Sequence, residues 1–219
     1  MANFSIIITA GGIGKRMQSD IPKQFIEVNG LPILMHTIKR FYDFDKACEI
    51  ILTLPEDWLI YWSEIRIKYN FNVTHHVVTG GVERYDSIKN ALKHCHSEII
   101  GVHDGVRPLV SKGTIERCLT KVNANGAVIP MLPLKESIRK VEGNSSTALD
   151  RKLYFSVQTP QFFEKEILEK AYEQPFHERI TDDASLVQEA GFEIDFVEGN
   201  EENIKITTPF DLNIANLFI

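Results

Sequence analysis

The sequence predicts an α/β fold: a doubly wound, mostly parallel sheet with a β-hairpin arm projecting from it. Three observations carry this. From Phe4 to Met131, short apolar runs alternate with amphipathic stretches of helical length. The segments richest in glycine and cationic residues begin where apolar runs end, and in such sheets ligands bind beyond the carboxyl ends of the strands. The alternation then stops between Pro130 and Gln161, where two strand-like stretches flank Gly143-Asn144-Ser145-Ser146.

Taken in order, Phe4–Ala10 reads as a strand buried on both faces, because its run is apolar without alternation. A helix is expected over Pro32–Tyr42, with Pro32 suited to its first turn. The expected strands that follow are Glu49–Leu54, His75–Val78, Ile99–Val102 and Gly126–Met131. Between them lie amphipathic stretches at Glu56–Tyr69, Arg84–His94 and Ser111–Asn125, the last with Ser111 and Thr114 as candidate N-caps. Right-handed βαβ units follow from that order. The expected arm pairs Leu134–Glu142 with Thr147–Val157. A lone hairpin is marginal in water. This one carries Ile138, Val141, Leu149, Leu153, Tyr154 and Phe155, so it is expected to pack on a second subunit, or else on its own domain. Helices at about Glu164–Tyr172 and Asp182–Ala190, a strand near Glu193–Val197 and a helix from Pro209 complete a single domain over 1–219, with 134–160 as its arm.

Composition narrows the function. At 219 residues the chain can bury a substantial core, and 43% hydrophobic with 25% charged residues is ordinary for a globular enzyme. A net charge of −6 leaves no broad basic face and argues against nucleic acid as a partner, but not against a nucleotide. Cys48, Cys95 and Cys118 are scattered, with no C-x-x-C, which suggests core cysteines in a reducing cytoplasm. No leader and no apolar run of membrane-spanning length is read.

The first strand runs into Thr9-Ala10-Gly11-Gly12-Ile13-Gly14-Lys15-Arg16-Met17, followed by Pro22-Lys23-Gln24-Phe25. Glycines at 11, 12 and 14 allow close backbone approach, turn amides attract anions, and Arg16 and Lys23 add fixed positive charge. The pattern suits a triphosphate. It is not a Walker A loop, because Gly14-Lys15 is followed by Arg16 and the first required glycine falls on Thr9. Nor is it a dinucleotide fingerprint, which would need glycine at Met17.

Three further segments stand at strand ends. Gly80-Gly81-Val82-Glu83-Arg84-Tyr85-Asp86-Ser87 opens a helix and offers an anion- or base-binding corner, or simply a capped start. In His103-Asp104-Gly105-Val106-Arg107-Pro108, Asp104 could hold a metal, a ribose hydroxyl or merely Arg107. Lys205 sits in an apolar strand-like run, Asn203–Thr207, and is expected to reach a pocket or an anion, the alternative being an edge lysine. His94-Cys95-His96 and His75-His76 read as structural, and Thr181-Asp182-Asp183 as an N-cap with acidic first-turn residues.

Together these segments resemble the bacterial 2-C-methyl-D-erythritol 4-phosphate cytidylyltransferase family of the non-mevalonate isoprenoid pathway. Leu149-Asp150-Arg151, Gln158-Thr159-Pro160-Gln161, Thr181-Asp182-Asp183-Ala184-Ser185 and Asn203-Ile204-Lys205-Ile206-Thr207 extend the resemblance over nearly the whole chain. It implies a Rossmann-like nucleotidyltransferase sheet, CTP and a polyol phosphate as substrates, Mg²⁺ and a homodimer built through the arm. By position it implies that Arg16, Lys23 and Lys205 grip the phosphates and the transition state. Ala10, Gly11, Gly12, Gly14, Gly81, Val82, Ser87, Asp104 and Gly105 would receive the nucleotide. Arg107, Ser137, Arg151 and Thr159 would contact the polyol phosphate, with Arg151 and Thr159 reaching the neighbouring subunit's site. Asp104 would be the metal ligand, the metal being carried mainly by the CTP phosphates.

Some positions depart from the family pattern. Ala10-Gly11-Gly12 stands for the frequent Ala-Ala-Gly, Gly105-Val106 for Ala-Ala, Val82 for an acidic residue, and Ser137 for Thr. The first two also resemble ribitol-5-phosphate cytidylyltransferases, which is the alternative function. A dinucleotide-dependent oxidoreductase and a non-catalytic nucleotide-binding module are more distant alternatives.

Overall fold

The structure is a computed structural model that describes residues 4–12 and 21–219. Its main sheet runs through β1 (Phe4–Thr9), β4 (Glu49–Leu54), β5 (His76–Thr79), β6 (Ile99–Asp104), β7 (Ala127–Pro133), β10 (Phe155–Val157), β11 (Gln161–Glu164) and β12 (Asp195–Glu198). The order across it is β10-β7-β11-β6-β1-β4-β5, with β12 paired to β7. β1 pairs in parallel with both β4 and β6, β5 with β4, and β12 with β7. From β1 the chain winds outward through β4 to β5, then returns to β6 on the other side. The β1/β6 boundary is therefore the topological switch point, where a crevice opens.

β1 shows why this sheet needs both faces covered. Ile6 and Ile8 pack in one core with Leu34, Ile38, Phe41, Trp62 and Val122. Ile7 points the other way, among Ile51, Ile88, Leu168 and Leu186. The first layer comes from α1 (Ile33–Phe44), α2 (Leu59–Lys68) and α4 (Lys112–Asn125). The second comes from α3 (Arg84–Leu92), α5 (Lys165–Ala171) and α6 (Asp183–Glu189). α7 (Pro209–Phe218) closes the described chain behind a Thr208 capping box.

Several expectations need correction. β6 extends to Asp104 rather than ending at Val102, so the carboxylate stands on the strand's last residue. Ser111 caps α4, accepting from the Thr114 N–H at 3.1 Å, whereas Thr114 lies inside the helix. Pro32 stands just before α1 rather than within it. A small hairpin, β2 (Glu27–Val28) with β3 (Leu31–Pro32), was not anticipated, although Asn29-Gly30 with φ of 46° and 79° is the turn such hairpins prefer.

The arm is shorter than expected. β8 (Ile138–Glu142) pairs with β9 (Ser145–Leu149) across a tight turn, but the second limb does not continue to Val157. After a 3-10 turn at Arg151–Leu153, β10 rejoins the main sheet antiparallel to β7. β11 was missed: it lies antiparallel between β6 and β7 with Phe162 and Phe163 fully buried. Residues 203–207 form no strand; Ile206 donates its N–H to the Val106 carbonyl at 3.0 Å.

Candidate active site

A cavity of about 500 Å³ opens at the carboxyl ends of β1, β4, β5 and β6. Ala10, Gly11, Gly12, Lys23, Gly81, Val82, Ser87, Asp104 and Lys205 all line it, so the strand-end segments converge as expected. Gly14 and Arg16 lie outside the described residues. The cavity also takes Gln24, Thr53 and Thr207, which carried no expectation.

Its floor is ionic. Asp104, buried, holds Lys205 Nζ at 3.1 Å and Arg107 Nε at 3.0 Å, both on Oδ2. Burial opposes its ionisation, but the charges of Lys205, Arg107 and Arg84 outweigh burial and hold the carboxyl well below the usual carboxylate range. Lys205 is therefore a pocket lysine, not an edge one. Arg107 also donates to the Asn203 carbonyl at 2.8 Å and is not among the residues lining this cavity; it steadies Asp104 from the side. Gly105 is likewise outside the lining. Its amide donates to the Thr9 carbonyl at 2.9 Å, and a Cβ there would come within 3.0 Å of that oxygen, so its smallness serves packing between β1 and β6.

Thr159 requires the clearest correction. It is not on the arm but buried beneath the end of β6 in its own subunit. Its hydroxyl oxygen accepts the Asp104 N–H at 3.1 Å and lies 3.0 Å from His103 Nδ1. His103 Nε2 lies 3.0 Å from the Arg107 carbonyl, which can only accept, so the proton is assigned to Nε2 and Nδ1 accepts from Thr159. Burial pushes the imidazole down to about 4, which keeps this chain of bonds neutral. No hydroxyl proton is left for a substrate. Ser137 and Arg151, by contrast, are exposed on the arm and away from this cavity, with Arg151 bonded to the Lys135 carbonyl.

The opposite wall is the start of α3. Gly80 donates to the Leu54 carbonyl at 2.8 Å, and Gly81 to Ser87 Oγ at 3.0 Å. A Cβ on Gly81 would lie 2.1 Å from that of Asp86, so only glycine permits this corner. Glu83 and Asp86 form a reciprocal capping box. Arg84 lines the wall, but both its terminal nitrogens are spent on Asp183, at 3.1 and 2.6 Å. Asp183 was expected only as a first-turn acid; Asp182 is the N-cap, bonded to Ser185 N–H at 2.9 Å. Among the phosphate-loop residues, Gln24 was missed: its buried amide donates to the Ala10 carbonyl at 2.7 Å. Its place directly after Lys23 was the available signal.

A sequence model of 2-C-methyl-D-erythritol 4-phosphate cytidylyltransferase matches residues 4–219. The chain belongs to this family. The enzyme of that name from Phocaeicola vulgatus is 46% identical over 218 residues, covering 99% of this chain and 100% of that protein. The crystal structure of the Francisella tularensis enzyme superposes with a TM-score of 0.81 at 31% identity, covering 100% of both chains. The 4-diphosphocytidyl-2C-methyl-D-erythritol synthase of Anaerococcus prevotii gives 0.83 at 30% identity, covering 99% of this chain and 96% of that one. Membership makes the chain a nucleotidyltransferase and favours the 2-C-methyl-D-erythritol 4-phosphate cytidylyltransferase reading over the ribitol-5-phosphate cytidylyltransferase and oxidoreductase alternatives.

Proposed function

We propose that the chain transfers CMP from CTP to 2-C-methyl-D-erythritol 4-phosphate at this cavity, releasing pyrophosphate, and that it works in the cytoplasm as a homodimer joined through the arm. The observation that carries the reading is the convergence of Lys23, Lys205 and Asp104 on a glycine-lined mouth at the switch point.

The chemistry follows from charge. A phosphate monoester has its second pKa near ~6, so the attacking oxygen is already ionised at neutral pH. It attacks the α-phosphorus, and pyrophosphate departs with the electron pair of the broken bond. No side-chain nucleophile is needed; the barrier is the approach of two anions. Lys23, Lys205 and Arg16 offset that repulsion and hold the phosphates in line. The Gly80–Ser87 corner receives the base, and Asp104 keeps Lys205 turned into the cavity.

Among the described residues no cluster of three or more His, Cys, Asp or Glu could hold a metal. Asp104 alone fits Mg²⁺ of the kind that binds through substrate phosphates and one carboxylate. When bound, Mg²⁺ would neutralise phosphate charge. Ser137 and Arg151 contact the polyol phosphate of the neighbouring subunit's site. Support for an arm interface comes from the exposed Val141, Leu153, Tyr154 and Phe155, which one protomer leaves in water. Three buried free cysteines agree with a reducing compartment, and no helix among the described residues is long and apolar enough to cross a membrane.

Pyrophosphate release from CTP, measured with methylerythritol phosphate and with ribitol 5-phosphate, with and without a chelator, tests this. Turnover only with ribitol 5-phosphate would refute the substrate assignment, and chelator-insensitive turnover the metal.

A further inference from the structure

We propose that Asp183 is a positioning residue for nucleotide binding: through its hold on Arg84 it fixes the corner, Gly80 to Ser87, that receives the base. This rests on reading that corner as the base site, as above.

Asp183 lies far from Arg84 in sequence, on a different helix, and is fully buried. Its two carboxylate oxygens take both terminal nitrogens of Arg84, at 3.1 and 2.6 Å, and Oδ1 also accepts from Tyr172 Oη at 2.6 Å. A bidentate guanidinium–carboxylate pair fixes orientation as well as distance. Arg84 is the first residue of α3, directly after the cavity-lining Gly80–Glu83, so holding its side chain holds the corner. The second attachment is Tyr85, whose hydroxyl donates to the Tyr172 carbonyl at 2.9 Å while the two rings stack at 4.9 Å.

The far end of this linkage is itself anchored to the sheet. Gln161, on β11 opposite Val102, donates to Asp182 at 2.7 Å and accepts the Ala184 N–H at 3.0 Å. The base corner is thus registered against the same strand, β6, that ends in Asp104. Base and phosphate sites are held at a set separation by a path running from Arg84 to Asp183, through its chain neighbours Asp182 and Ala184 to Gln161, and so to β6.

Asp183→Asn keeps the shape but cannot accept from both guanidinium nitrogens as a charge. Steady-state kinetics and equilibrium CTP binding on the full-length enzyme then read the effect. The KM for CTP is expected to rise about tenfold or more, the scale of one lost charge-assisted hydrogen bond. Preference for CTP over UTP should fall, while kcat and the KM for the polyol phosphate stay within about twofold; loss of a merely structural contact would instead lower the active fraction equally for every substrate. Unchanged CTP KM and unchanged CTP/UTP preference in folded Asp183→Asn would overturn the proposal. Should that variant fail to fold, Tyr172→Phe removes one bond from the same carboxylate. A smaller rise confined to the nucleotide KM would support the assignment, and no change would overturn it. Wild-type enzyme that does not bind CTP would sink the functional reading itself, before any variant is compared.

Discussion

Thr159→Val separates two roles for one hydroxyl. The valine keeps the side-chain volume closely and removes only the oxygen. In the structure that oxygen accepts the buried Asp104 N–H and serves His103 Nδ1. Both partners are buried, so the substitution leaves one donor and one acceptor without partners. Each orphaned group costs about 1–3 kcal/mol, so the loss is about 3 kcal/mol in total. For a domain of this size each kcal/mol moves Tm by about 2–4 °C, giving a fall of about 6–12 °C. Differential scanning fluorimetry at fixed protein concentration measures it, because any self-association would make Tm depend on concentration. Asp104 would also loosen, so the CTP KM should rise as well. If Thr159 instead served the polyol phosphate of a neighbouring subunit, Tm would hardly move and only the polyol KM would rise. A Tm within about 1 °C of wild type, with that selective KM effect, would refute the buried assignment.

Other outcomes follow from the same geometry. Lys23→Ala should lower turnover by roughly 10²–10³, the loss associated with one transition-state donor, in single-turnover assays at saturating CTP. Lys23→Ala and Arg151→Ala homodimers should each be nearly inactive yet regain activity when mixed and exchanged, since one hybrid site then has both an intact cavity and an intact arm; no recovery after proven exchange would assign Arg151 to its own subunit. His75 accepts from the Trp62 indole at 3.1 Å, and burial lowers its pKa. Unfolded histidine takes a proton near ~6.5, so His75 contributes stability above that pH and loses it as pH falls toward its lower folded value. Urea melts of His75→Gln, which retains an acceptor, should show a flatter decline below pH ~6.5 than wild type.

How far the sequence could be read depended on whether the deciding interaction was local. β1, β4, α3 and the N-cap of α4 were legible because an unbroken apolar run, a glycine pair before a helix and a serine before an amphipathic stretch each act within a few residues. The short hairpin at Asn29-Gly30 carried a local signal that went unread. β11 had no such signal. Gln161–Glu164 is two polar residues around two phenylalanines, and only insertion between β6 and β7 makes it a strand. Lys205 illustrates the same limit: its neighbours suggested a strand, but the segment is held by Asn203 donating to the Thr159 carbonyl and Ile206 docking on Val106, with no strand ladder.

The site shows the same division more sharply. Residues lining the cavity were found because glycine and cationic residues at strand ends are conspicuous in sequence. Residues behind it were not, because a buried polar side chain looks like any other until its partner is known. Asp104 links the two classes. Its Oδ2 faces Lys205 at the cavity, its N–H is held by Thr159 from beneath, and Arg107 grips it from the side. Thr159 and Arg107 thereby set where one carboxylate stands, and that carboxylate in turn sets where the lysine points. Substituting either should shift Lys205 without touching it. Arg107→Met removes one of the two cations on Asp104 Oδ2, so Lys205 alone remains to hold that charge. The expected outcome is a lower kcat in Arg107→Met with the KM for polyol phosphate little changed, since Arg107 lies outside the cavity lining. A selective loss of polyol phosphate affinity would instead make Arg107 a direct substrate contact.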